Sequence, residues 1–281
     1  MEKHRKKLIK NAAVFDGHSS GLAQGKKIVI EDDIVTEITA DEVSEENFDE
    51  VFDGTGMVAM PGMTDAHVHL GCLFAKGEFP VDYATVLTVA KCKDALMAGF
   101  TTFRDAGSVS EGLKLAFDEG VLPGPRIYPC GAYISQTCGH GDSEYAHTYR
   151  DIQYRHPSST VLVDGVPEII RAVREQFYRG ASHIKLMATE ILNRHEDIRL
   201  LFGTDMMITG PDYQVEQSED IRYYEKRFGT MRALRALTGT ANEVFALTTY
   251  QNPYPKGKIG VLEAGSYADL LLVDGDPTKS V

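Results

Sequence analysis

The sequence predicts an α/β fold, and three observations carry that expectation. From about Pro61 to Leu247, strand-like runs alternate with amphipathic helical ones, the rhythm of parallel βα units. The flanks, residues 1–60 and 248–281, read as short strands broken by turns. Both flanks share one signal: alternation of apolar residues that stops at Asp-Gly pairs, at Asp16 and Gly17, Asp53 and Gly54, and Asp274 and Gly275, where hairpin and strand-end chemistry belongs. The expected organisation is a small discontinuous β unit from both ends of the chain, residues 1–60 and 248–281, around a central βα domain, residues 61–247.

Taken in order, the N-terminal strand candidates are "LIKNAAVFDG", "KKIVIEDD" and "IVTEITA", then an acidic loop "DEVSEENFDE", then "VFDGTGMVAM". Five strand candidates follow in the central domain: "MTDAHVHL", "FTTFRDAG", "RIYPCGAYI", "HIKLMA" and "IRLLFGTD". Between and after them lie the helix candidates "DYATVLTVAKCKDALMAG", "SEGLKLAFDEG", "PEIIRAVREQFYRG", "ILNRHED" and "TMRALRALTG", each with apolar residues at helical spacing. The C-terminal stretch "KIGVLEAGSYADLLLVDGDP" returns to strand character and is expected to pair with the first flank. There is no repeat of fixed period and no low-complexity segment.

Composition narrows the function classes. The chain has 281 residues, 43% hydrophobic and 25% charged, an ordinary globular balance that can bury a core. Lys plus Arg number 29 against 41 Asp plus Glu, a formal net charge of −12, which argues against a nucleic-acid partner. The basic run Lys3, Arg5, Lys6, Lys7 reads as solvated terminal charge rather than a membrane or nucleic-acid arm. Cys72, Cys92, Cys130 and Cys138 are scattered, without a C-x-x-C pair, which fits a reducing cytoplasm. "LIKNAAVFDG" is too short and polar for a signal-peptide core, and no run of about 18 apolar residues is present to span a bilayer. A soluble, cytoplasmic protein is expected.

The stretch "MPGMTDAHVHL" carries the chemistry. On a strand, residues i and i+2 point to one side, with their bases roughly 6–7 Å apart. Asp65, His67 and His69 therefore share a face, while Ala66 and Val68 pack beneath helices. The two imidazoles can converge on one ion, although an isolated H-x-H more often means unrelated polar side chains at a strand end or satisfied histidines. If the strands line a barrel, active-site groups gather at their C-terminal ends. His67 and His69 close the first strand, as Asp205 closes "LLFGTD"; the competing role for Asp205 is to cap the following turn. Lys185 lies near the end of "HIKLMA", with His183 and Met187 on its side. Buried, it needs a partner or a lowered pKa; otherwise it reaches solvent.

Together "MVAMPGMTDAHVHL", "AGFTTFRDAGS", "CGHGD", "HIKLMAT", "LLFGTDM" and "GVLEAGSYADLLLVDGDP" resemble the amidohydrolase superfamily, in particular its branch similar to imidazolonepropionases and Xaa-Pro dipeptidases. These ordered motifs run over nearly the whole chain. The resemblance implies a TIM-type (β/α)8 barrel, a small β-sandwich built from both termini, and a divalent metal, usually zinc. It implies that His67 and His69 are the strand-one ligands. It implies that Lys185 is the lysine such enzymes carbamylate with carbon dioxide, a carboxylate-like group able to bridge two cations. Asp205 then matches the strand-eight aspartate, ligand and general base together. His140 in "CGHGD" matches a histidine that lies close to substrate in similar dipeptidases; its competing reading is a loop histidine between glycines.

The chain also departs from that pattern. The family needs two more histidines, from strands five and six, between the lysine and the aspartate. Here only "LMATEILNRHEDIRLLFGT" separates Lys185 from Asp205, and one βαβ unit takes about 30 residues. Strands five to seven are therefore expected to be missing. A TIM-type barrel uses about 250 residues, about 200 at the lean end, more than Pro61 to Leu247 supplies. The expected fold is an incomplete TIM-like (β/α) barrel with a small discontinuous β-sandwich. Its open edges call for covering or pairing, by homo-oligomerisation or domain swapping, or else for poor solubility. His195 in "LNRHED" reads as solvated and His183 as a core or supporting residue, while nothing in the spacing selects His147 or His156.

With His67, His69 and Asp205 present, one ion keeps three protein ligands plus water, the open arrangement of catalytic zinc. The second metal position keeps only Lys185. The expected function is a metal-dependent amidohydrolase acting on the C–N bond of a small substrate such as a dipeptide or cyclic amide. It would hold one zinc or other divalent ion where intact relatives hold two, with activity reduced or lost. The rival from another class is a non-catalytic pseudoenzyme or scaffold that keeps the fold's outline; a third reading is an incomplete gene product with no role of its own.

Overall fold

A computed structural model describes residues 5–71, 81–107, 109–137, 139, 141–142, 160–187, 201–208 and 213–281. The N-terminal flank folds as β1 (Lys6–Lys10), β2 (Ala13–Val14), β3 (Lys27–Glu31), β4 (Ile34–Thr39), β5 (Glu50–Asp53) and β6 (Met57–Pro61). Four of these make a sheet in the order β4-β3-β1-β5, with β1 antiparallel to β3 and parallel to β5. Both faces of the central strands are covered: the adjacent residues Leu8 and Ile9, and the run Ile28 to Ile30, all lie inside, while the ends of the strands are less buried.

The central segment opens with three parallel strands joined by helices: β7 (Met63–His69), α1 (Val81–Met97), β8 (Phe100–Asp105), α2 (Glu111–Asp118) and β9 (Arg126–Tyr128). Ser110 starts α2, its hydroxyl accepting from the backbone N–H of Leu113. β10 (Tyr133–Ser135) and β11 (Thr160–Leu162) form a separate parallel pair, followed by α3 (Val166–Tyr178). The chain then returns to the first strand: β12 (Met206–Met207) lies parallel to β7, giving the order β12-β7-β8-β9. Three helices end the segment: α4 (Tyr213–Phe228), α5 (Thr230–Leu237) and α6 (Gly239–Phe245). Val68, Phe100, Phe103 and Ile127 of the strands pack in one apolar cluster with Cys92, Leu113, Phe117, Tyr213 and Leu237 of the helices. Helices thus cover one face of this sheet, and His67 and His69 point from the other.

Several expected elements take a different form. "RIYPCGAYI" divides into β9 and β10, which belong to different sheets. Pro129 between them has no N–H to donate, and Gly131 turns the chain at φ +70°. Of "HIKLMA" the described residues 183–187 form a bridge, Leu186 to Ile134, rather than a strand, with Ile134 N–H donating to Lys185 O at 2.9 Å. Residues 201–205 run beside β7 through Ala66 N–H to Phe202 O at 2.8 Å and Asp205 N–H to His67 O at 2.7 Å, but the ladder itself is confined to β12. "ILNRHED" lies outside the described residues. Three elements were not expected, β11, α4 and α6. The sequence of α4, "YQVEQSEDIRYYEKRF", is too polar to show an apolar stripe, and only Tyr213 and Gln217 of it are buried. Among the described residues the strands do not close into a barrel.

At the far end of the chain, β13 (Leu270–Asp274) pairs antiparallel with β6, and β2 flanks β6 on its other side. Ile9, Ile28, Ile30 and Val35 of the first sheet share an apolar cluster with Val14, Ala59, Leu270 and Leu272 of this one. A second tie joins the C-terminal stretch to the βα segment. Arg126 grips Asp269 through Nε to Oδ2 at 2.6 Å and Nη2 to Oδ1 at 3.2 Å, and its guanidinium stacks 3.6 Å from the Tyr267 ring centroid. Both side chains are mostly shielded from water. Asp269→Asn, which keeps the shape and removes the charge, is therefore expected to lower stability by about 1–3 kcal/mol, read by urea denaturation. An unchanged midpoint would show that this junction contributes nothing.

Candidate metal centre

The centre is built from two segments far apart in sequence. β7 supplies His67 and His69, whose ring centroids are 5.6 Å apart. The segment after Phe202 supplies Asp205. Gly203 permits that approach, because a Cβ there would sit 2.7 Å from His67 Cβ and 3.0 Å from His67 N. Asp205 takes the left-handed conformation at φ +56°, unusual for a residue with a side chain. Asp205 Oδ1 lies 2.8 Å from His67 Nε2 and 3.2 Å from His69 Nε2. One donor atom from each of the three residues falls within 4.8 Å of the other two.

The electrostatics suit a cation. Burial first, and then the charge on Lys185, push His67 down to about 4, so its ring is neutral at pH 7 and holds a free lone pair. Lys185 Nζ lies 2.9 Å from that same Nε2. His67 Nε2 thus faces an amine on one side and a carboxylate on the other, and one imidazole nitrogen serves only one of them at a time. A cation among His67, His69 and Asp205 meets a lone pair from each. Tetrahedral ligation at 2.0–2.2 Å places donor atoms roughly 3.4 Å apart, so the two nitrogen-to-oxygen distances need widen by only tenths of an ångström. The donor set therefore fits a divalent ion.

The remaining candidates divide. Lys185 reaches the centre through His67, and its pKa is lowered, chiefly by burial. His183 sits two residues before it, mostly buried, with Nδ1 3.0 Å from Ser182 Oγ; burial pushes it down to about 3. Leu186, on the opposite side, is exposed. His140, His147, His156 and His195 lie outside the described residues. Asp65, placed by alternation on the histidine face, departs from that expectation. The β7–β8 register shifts between Asp65 and Val68, and the Asp65 carboxylate is fully buried against Thr204, Tyr213 and Gln217. Tyr213 and Gln217 are the supporting residues that the sequence reading missed. Their one local signal is the helical i, i+4 spacing that brings Gln217 Nε2 within 2.7 Å of Tyr213 OH.

Residues 58–197 match the model of the amidohydrolase family. That match contains both histidines and Lys185 and stops short of Asp205, which the fold brings in. Ochratoxinase of Aspergillus niger is 34% identical over 152 residues, 47% of this chain and 31% of that protein. The matched part is thus less than a third of the curated relative. Among solved structures, an amidohydrolase has a TM-score of 0.78 at 22% identity, over 98% of this chain and 94% of the other. A prolidase complexed with N-methylphosphonate-L-proline has a TM-score of 0.76 at 22% identity, over 97% and 93%. At such identities the two structures establish a shared fold. Among the described residues, no helix is long and apolar enough to cross a membrane.

Proposed function

We propose, on the match of residues 58–197 to the amidohydrolase family model, that the chain is a metal-dependent hydrolase of a C–N bond in a small substrate, a dipeptide or a cyclic amide. The observation that carries this reading is the convergence of His67, His69 and Asp205 on one point from two distant segments. His67 and His69 would hold a single zinc or other divalent ion by Nε2, with Asp205 as the third protein ligand. When bound, such an ion polarises the amide carbonyl and lowers the pKa of water to about 7. Asp205, 70% exposed at its side chain, takes the proton from the attacking water and returns it to the leaving nitrogen, general base and then general acid. Lys185, its pKa lowered by burial, offers more of the neutral amine that carbon dioxide carbamylates. His140 is assigned to substrate. Residues 61–247 form the hydrolase domain, and residues 1–60 with 248–281 form its β base.

A specific observation favours a second reading, a non-catalytic scaffold: the described strands leave the barrel open, and among the described residues Lys185 is the one sequence-assigned ligand left for a second metal position. Metal analysis of the purified chain separates the readings, alongside a panel of dipeptides and cyclic amides assayed with added zinc and bicarbonate. A ratio of about one ion per chain with hydrolysis is the expected result. No bound ion and no turnover would leave the scaffold.

A further inference from the structure

We propose that Asp65 is a positioning residue for the metal centre: its buried carboxylate clamps the segment that carries Asp205 onto the strand that carries His67 and His69. This rests on the reading of the centre given above and names what holds it together. Asp65 is fully buried. Its Oδ1 accepts from the backbone N–H of His67 at 3.1 Å and of Thr204 at 3.2 Å. Its Oδ2 accepts from Thr204 Oγ1 at 2.9 Å, Tyr213 OH at 3.2 Å and Gln217 Nε2 at 3.2 Å. One carboxylate thus joins β7, the Asp205 segment and α4.

The placement of these bonds matters more than their number. His67 is one of the two histidine donors, and Thr204 is the residue immediately before Asp205. Asp205 has a strained backbone at φ +56°, a state that persists only where the surroundings over-determine it, at a cost of about 1–3 kcal/mol. Its own N–H bond to His67 O, 2.7 Å, fixes one side of that residue. Asp65 holds the residue just before it through both the N–H and the hydroxyl of Thr204. A buried carboxylate without a counter-charge must have its lone pairs filled by hydrogen-bond donors, so Asp65 tolerates little displacement of this segment. Without it, the largely exposed Asp205 carboxylate is free to leave the two rings.

The test is a Co²⁺ titration of the full chain, with the visible spectrum recorded, for wild type, Asp65→Ala, Asp65→Asn and Thr204→Val. Asp269→Asn serves as a control that weakens the fold elsewhere. Asp65→Ala and Thr204→Val are expected to weaken Co²⁺ binding by roughly 10–100-fold, as loss of a group orienting a ligand does, with a spectrum shifted by loss of a carboxylate donor. Asp65→Asn keeps an oxygen for the two backbone N–H groups and is expected to recover part of the affinity. Asp269→Asn is expected to lose stability and bind Co²⁺ like wild type. Should Asp65→Ala not fold, Thr204→Val carries the test alone. Wild-type uptake with unaltered affinity and spectrum in Thr204→Val overturns the clamp and leaves the proposed function standing. So does an Asp269→Asn chain that weakens Co²⁺ binding as much as the other variants. A wild-type chain that takes up no Co²⁺ overturns the proposed function, and the clamp with it.

Discussion

Asp205→Asn is expected to lower kcat for amide hydrolysis by about 10²–10⁴-fold, the usual contribution of a positioned acid–base group, with a smaller effect on KM. The substitution keeps the size of the side chain and an oxygen beside His67 Nε2 and His69 Nε2, now 2.8 and 3.2 Å from the carboxylate. An amide, however, does not take up a proton in this range, so the water loses its base and the departing nitrogen its acid. The measurement is steady-state kinetics on whichever substrate the panel identifies, with metal content determined on the same sample. A variant that retains its metal and its full rate would remove Asp205 from the proton-transfer role. One that retains its rate only after metal is restored would reduce Asp205 to a ligand.

The double substitution His67→Ala and His69→Ala is expected to abolish retention of a divalent ion through dialysis and hydrolysis with it, a loss larger than either single change causes. Both imidazoles present Nε2 to one point, and their removal leaves a single exposed carboxylate with Lys185 beside it. Three protein ligands are the usual minimum for a catalytic zinc. Metal analysis after dialysis is the decisive readout, and circular dichroism confirms that the strand still folds. An ion retained at the wild-type ratio would place the metal elsewhere in the chain.

Much of this is legible in the sequence, for reasons that are local. A strand repeats every two residues, so "DAHVH" alone states that the two histidines share a side, and Val68 lies in the apolar cluster opposite them. The helices beginning at Glu111 and Val166 follow from periodicity and from caps such as Ser110, and the strand at Phe100 from its apolar run. Local pattern failed where neighbours decide the outcome. α4 looks like a polar surface segment until Tyr213 and Gln217 are seen closing over Asp65. Asp65 itself leaves the histidine side because the register shifts beside it, which alternation assumes does not happen. "HIKLMA" reads as a full strand, yet among its described residues one bridge to β10 is formed.

By itself the sequence determined the donors on β7, the pairing character of the two ends and the shortness of the stretch between Lys185 and Asp205. Each of these is a matter of residue type and spacing along the chain. Only the tertiary structure decided that Asp205, 136 positions from His69, meets both rings, and that Asp65 and α4 hold it there. Closing so long a loop costs entropy that no local signal encodes. What offsets it is the packing of helices on strands and the bonds around one buried carboxylate, and these exist only once the segments have met.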